Sequence, residues 1–314
     1  MKLFIISLFI SLSSFASYID YYNYINEAEY QMYQGNYDFA IANFKMGFDA
    51  VEQPFARDLY YTARCCAQLR NDTELYLYLK QALKNGLNKY HIIQDSLWFT
   101  DYRFTDKFLE LTKRDYPQPQ LIDTNYTKQI EKLWTELMFY SYDKVDSIKQ
   151  TFGEDSEEFI SYKKLREQAH QKNSKAFFEL IINNDIPDLM RGNTILYNSS
   201  INISSNIEYV MFMLFFNYLD EDVEQLDLVL NKLYKSLEDG KISPIFYART
   251  IDHYLLTVKK PNKYGIEFDS IHQKDLQQII INRQKIGVST YYASSPSYNL
   301  YFLDFDISYN IKPE

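Results

Sequence analysis

Asp252 and His253 stand side by side in "SPIFYARTIDHYLL", and Glu267 and Arg283 follow in the same C-terminal stretch. These four residue types are those from which acid–base catalysis is assembled. The imidazole titrates near neutrality, carboxylates take or return protons, and a guanidinium stabilises developing negative charge. They are the candidate catalytic residues of the chain. Neighbours on a helix point about 100° apart, so Asp252 and His253 face different ways. His253 is then either a surface or core imidazole, or part of a polar pocket shared with Glu267 and Arg283.

Other reactive groups are sparse. His91, His170, His253 and His272 form no i, i+4 pair and no His-Glu-x-x-His, and Asp269 with His272 reads as a solvated pair. No metal site is therefore expected. There is no Gly-x-Ser-x-Gly and no glycine-rich loop to cradle phosphate, so no cofactor is expected either. The only cysteines, Cys65 and Cys66, are adjacent. On a helix they cannot easily close a bridge, and two thiols are too few for zinc, so they read as small core fillers. Sequons at Asn71, Asn125, Asn198 and Asn202 matter only in a eukaryotic secretory pathway.

The formal charge is −9, and the basic pairs at 163–164 and 259–260 are isolated. Such a chain repels phosphate backbones, and nucleic-acid binding is not expected. Residues 1–16 read as a signal peptide. Lys2 precedes the apolar run "LFIISLFISL", and Ser14 and Ala16 suit a peptidase that cuts after Ala16. Export to the periplasm or beyond the cell is the expectation. No later apolar run reaches the ~20 residues that a membrane-spanning helix needs.

The elements that must position these groups read as helices. Glycine and proline number only eight each, which leaves long uninterrupted stretches. Residues 21–50 and 56–85 match at an offset of 35: Ala28 falls on Ala63, Phe44 on Leu79, Gly47 on Ala82, Tyr24 on Leu59 and Ala40 on Leu75. A turn sits midway in each, Gly35-Asn36-Tyr37 and Asn71-Asp72. Small residues at that interval let paired helices approach to ~8–10 Å while bulky ones fill the flanks. The pattern resembles the tetratricopeptide repeat, with departures at Arg70 in the turn and at Leu75. Two units are few for a freestanding array, so residues 88–116 should cap it, with Ser96, Asp101 and Thr105 as possible helix N-caps. In this register Tyr22, Glu29, Met32 and Tyr33 share an inner face with Arg57, Tyr60 and Arg64. Tyr22, Glu29, Tyr33, Arg57, Tyr60 and Arg64 are the candidate partner-binding residues. Arg57 and Arg64, two turns apart, could clamp a carboxylate of a protein or peptide partner, or the face could pack on the second half.

"YPQPQ" at 116–120 breaks helix twice and marks a boundary, giving a helical repeat domain over 17–116 and a second domain over 121–314. Amphipathic stretches follow, carrying Ile130, Leu133, Trp134, Leu137 and Met138. "NIEYVMFMLFFNYL" at 206–219 is apolar on every face and suits a buried central helix. In 299–311 apolar and polar residues alternate, the pattern of a one-sided strand. The second half resembles a bacterial domain of unknown function found behind tetratricopeptide-like helices in exported proteins. The likeness lies in "HQKNSKAFFELIINNDIPD", "ARTIDHYLL", "KPNKYGIEF" and "INRQKIGVSTYY". Asn173, Pro187, Asp252, Tyr264, Gly265, Arg283 and Gly287 keep the family's positions. Phe215 or Phe216 stands where it has an imidazole, and His253, Lys263 and Glu267 are also changed. The expectation is a mainly all-α chain, tetratricopeptide-like hairpins packed on a larger helical domain with a minor β element near the C-terminus. It is an exported interaction module without catalysis. An enzyme built on Asp252, His253, Glu267 and Arg283 is the alternative.

Overall fold

The computed structural model describes residues 17–116, 124–140, 142–192, 207–216, 223–266, 270–289 and 310–312. Residues 1–16, Glu267 and most of the expected strand at 299–311 lie outside them. The described residues are mostly helical.

Helix α1 (Tyr18–Tyr33) begins where the Ser17 amide donates to the Asp20 carboxylate, and it turns back at Gly35 into α2 (Tyr37–Ala50). Helices α3 (Ala56–Gln68) and α4 (Asp72–Lys84) repeat the arrangement. In the first turn Gly35 has φ +78°, and in the second Arg70 adopts φ +54°. Asn36 and Asn71 then occupy the cap positions of α2 and α4, and Asn71 Oδ1 accepts the Glu74 amide. Both hairpins close through their small residues. Ala28, Ala40, Ala63 and Ala82 have no exposed surface, nor do Phe44, Leu75 and Leu79 between them. A Cβ on Gly47 would come within 3.1 Å of Ile25 Cδ1, so a hydrogen at this position is what lets α2 settle against α1. Cys65 and Cys66 are buried in α3, and burial pushes both thiols up, Cys66 to about 12, which keeps them protonated at neutral pH.

Residues 88–116 continue as α5 (Lys89–Gln94) and α6 (Asp106–Lys113). Of the three expected N-caps only Thr105 starts a helix, its Oγ1 accepting the Phe108 amide. Ser96 and Asp101 fall in turns, because the 95–105 segment folds down to bury Trp98 and Phe99.

The second half is built on one long helix. The pattern over 126–150 divides into α7 (Thr124–Phe139) and α8 (Tyr142–Phe152). Helix α9 (Glu157–Asn183) follows, capped by Ser156 with Glu157 and Glu158 favourable to its N-terminal dipole. Beyond α10 (Leu189–Gly192), α11 (Ile207–Phe216) is the buried centre: Met211 and Leu214 are fully enclosed, and it packs on α7, α9 and α13. Helix α12 (Val223–Glu238) lies on α9, where Lys232 donates to the carbonyls of Ile181, Ile182 and Asn184 and so closes the C-terminus of α9. Ser243 and Pro244 start α13 (Pro244–Thr257), and α14 (Gln273–Gln284) ends the helical body. Among the described residues, strand pairing is a parallel contact of three residues each between β1 (Ser270–His272) and β2 (Asn310–Lys312). No helix among them is long and apolar enough to cross a membrane.

Helix α1 joins the two halves. Two helix-ending glycines, Gly240 after α12 and Gly287 after α14, have φ of +69° and +74°. A Cβ on the first would lie 2.5 Å from the Tyr18 ring, and on the second 2.6 Å from Tyr22 Cβ. Asn23 and Asn26 donate their side-chain amides to the Gln284 and Gly287 carbonyls, satisfying acceptors that a helix end leaves open.

Candidate functional site

Two clusters correspond to the residues selected from the sequence. The first surrounds the turn at 262–266. Asp252, fully buried on α13, accepts the amides of Lys263 and Tyr264 on Oδ1, each at 2.9 Å, and that of Ile266 on Oδ2 at 2.8 Å. Arg283 on α14 holds the same turn by its carbonyls, donating to Tyr264 O at 2.7 Å and Gly265 O at 3.0 Å. Gly265 supplies φ +67°, and Asn262 Oδ1 accepts the Tyr264 and Gly265 amides. Burial pushes the Asp252 carboxyl above the usual carboxylate range, while the three amides and then Arg283 pull it back. Both carboxylate oxygens face backbone, and neither is presented to a substrate.

His253, one residue on, faces elsewhere. Its ring meets Phe212 edge-on at 5.8 Å between centroids. Asp252 and Arg283 are thus brought together on one turn, His253 lies against α11, and Glu267 is outside the described residues. Phe215, one of the two phenylalanines marked in the sequence, packs against Phe177 and Phe178. This arrangement holds a loop in place.

The second cluster lies along α1 and α3. Arg57 bridges to Glu29 at 2.9 Å and to the buried Asp58 at 2.5 Å, with its guanidinium 5.7 Å from the centre of the Tyr61 ring. Arg64 pairs with Asp95 at 2.8 Å and sits over Tyr60, Tyr61 and Trp98 at 4.5, 5.1 and 5.5 Å. Tyr60 donates to the same Asp95. Burial works against the charge of Arg57, yet Asp58 and Glu29 leave its pKa raised. Tyr22 does not share this surface: it is 5% exposed, with its hydroxyl reaching Ile242 O across the junction of the two halves. Tyr60 and Met32 are buried as well. Glu29, Tyr33, Arg57 and Arg64 stay part-exposed. The two guanidinium groups proposed to grip a carboxylate already hold acids of this chain.

Asp95 and Trp98, which complete the setting of Arg64, were not selectable from sequence. They come from the turn-rich segment after α5, where no periodicity fixes which way a side chain points. Among the described residues, no group of three His, Cys, Asp or Glu gathers to hold a metal. The chain matches no protein-family model, no curated protein and no solved structure.

Proposed function

We propose that the protein is an exported, non-catalytic interaction module that binds a protein or peptide partner through the α1/α3 face of tetratricopeptide-like hairpins. One observation carries this reading. Glu29, Arg57 and Arg64 stay part-exposed on this face, and each arginine is set against a ring and an acid before any partner arrives. Arginine, tyrosine and tryptophan dominate the energetics of interfaces, and side chains already fixed lose less entropy on binding. Because the guanidinium charges are balanced internally, the partner surface that fits is mixed in charge rather than a lone carboxylate. The shared left-handed φ of Gly35 and Arg70 and the burial of Ala28, Ala63 and Ala82 support the repeat reading. Of the seven positions shared with the bacterial domain that the second half resembles, Asp252, Tyr264, Gly265 and Arg283 serve the 262–266 turn and Gly287 the seat of α1, which supports a likeness of architecture. Export rests on the pattern of residues 1–16.

The test is a pull-down from the native envelope with the wild type and with Arg57→Lys/Arg64→Lys, which keeps charge but loses the planar fork. The double variant should release the partner while its melting temperature shifts by only a few degrees. Undiminished capture by a folded variant overturns the assignment of this face.

A further inference from the structure

Helices α2 and α4, with Pro54 and, from α3, Leu59 between them, line an open pocket of about 380 Å³ that shares no residue with the Glu29, Arg57 and Arg64 face. Its floor is aromatic: Phe48 and Tyr78 lie 5.9 Å apart between ring centres, tilted by 54°. Leu77, 48% exposed, forms one wall, and Gln81 and Asp49 stand at the mouth. The charges around it do not cancel. Lys45 lines the pocket but is bound at 2.5 Å to Glu74. Asp49 is exposed and has no ion-pair partner among the described residues, which leaves one net negative charge beside two rings. Burial pushes the Tyr78 hydroxyl up to about 12, with Glu74 and Asp49 among the charges that add to this.

We propose that this pocket receives a basic side chain, arginine or lysine, from an extended segment of a partner protein. An aliphatic stem fills the space over Leu77, the cationic head meets the faces of Phe48 and Tyr78, and Asp49 accepts its N–H groups. A chain carrying −9 overall draws cationic segments toward it at long range. The volume lies at the low end of the range for small-ligand sites and matches one long side chain better than a whole cofactor.

The test uses the full chain, isotope-labelled, titrated with the peptide acetyl-Gly-Arg-Gly-amide and with a twin carrying norleucine for arginine. The arginine peptide should shift the resonances of Phe48, Leu77, Tyr78 and Gln81 and bind about tenfold more tightly than its twin, with the advantage fading as salt rises. Asp49→Asn changes no volume at an exposed site and should abolish that advantage; Leu77→Ala should weaken both peptides. Equal binding of the two peptides, an Asp49→Asn protein that still prefers arginine, or no shifts at millimolar peptide overturns the proposal. The Arg57→Lys/Arg64→Lys protein should bind the arginine peptide normally, which separates this pocket from the α1/α3 face.

Discussion

Asp58 and Asp252 are both carboxylates with no exposed surface, and the two halves of the molecule satisfy them by different means. Asp58, in the hairpins, receives the Tyr21 hydroxyl and the Arg57 Nε, so side chains on helices answer one another. Asp252, in the second half, receives three backbone amides of a single turn. The contrast recurs. Tyr60, Arg64 and Asp95 form a side-chain network in the first half, whereas Arg283, Lys232, Asn173 and Ser174 of the second all donate to backbone carbonyls. Hairpins of regular helices leave few open backbone groups, and their polar side chains are available for one another and for a partner. A body with helix ends and turns inside it spends many of its polar side chains on backbone, although Ser243 Oγ still donates to the Glu208 carboxylate. That difference is why the residue types of an active site, gathered at Asp252 and Arg283, yield a clamped loop.

The largest effect that tests the contrast is Asp252→Ala. The buried Ile266 amide and the part-buried Lys263 amide lose their acceptor, the Tyr264 amide keeps only Asn262, and the variant should be destabilised by about 3 kcal/mol in urea unfolding. Hydrogen exchange should show protection lost first at Lys263, Tyr264 and Ile266. A cost below about 1 kcal/mol would mean that Arg283 and Asn262 hold the turn unaided, and the assigned role of Asp252 would fail. Next is Gly287→Ala, which adds strain at φ +74° to a Cβ driven into Tyr22. About 3 kcal/mol is expected, felt as loosening of α1 from the second half. Tyr21→Phe follows. It removes the donor to Asp58 and the acceptor of the Phe55 amide, and should cost about 2 kcal/mol without moving the 262–266 turn. Should Tyr21→Phe alter exchange in that turn, the two polar systems are coupled and the division between halves is wrong.

The sequence made some of this legible and not the rest, for a physical reason. Helix pairing in α1–α4 depends on side chains three, four and seven positions apart, and the 35-residue offset marks Ala28, Ala63, Gly47 and Ala82, all of them buried. The buried character of α11, the start of α13 at Ser243 and Pro244, and the stop at Gly240 follow from equally local rules. What stayed hidden is long-range. Nothing near Tyr22 says that Gly287 will press on it, nothing near Asp252 says that its partners lie eleven to fourteen residues later, and nothing near Arg64 points to Asp95 and Trp98. The register leaves open whether the face carrying Tyr22 binds a partner or packs on the second half, and at Tyr22 it is Ile242 of the second half that lies against it. A register identifies which residues share a stripe, but what arrives against that stripe depends on the whole fold.

The smallest effect is the most specific to the hairpins, and its sign is its content. Arg70 holds a left-handed φ that the matching position of the first hairpin gives to Gly35. An L-residue pays about 1–2 kcal/mol for that conformation. Glycine removes this cost but brings a looser unfolded chain, worth about 0.4–1 kcal/mol against folding. The Arg70–Asp101 pair, 3.7 Å apart with both side chains mostly exposed, adds close to nothing in its defence. Arg70→Gly should therefore stabilise the protein by about 0.5–1 kcal/mol, and Gly35→Ala should destabilise it by about 1 kcal/mol. Opposite signs at two positions 35 residues apart would show that one backbone geometry is written twice in this chain, once with the fitting residue and once without. A destabilised Arg70→Gly would instead assign Arg70 a contact worth more than its strain, and the two turns would no longer be equivalent.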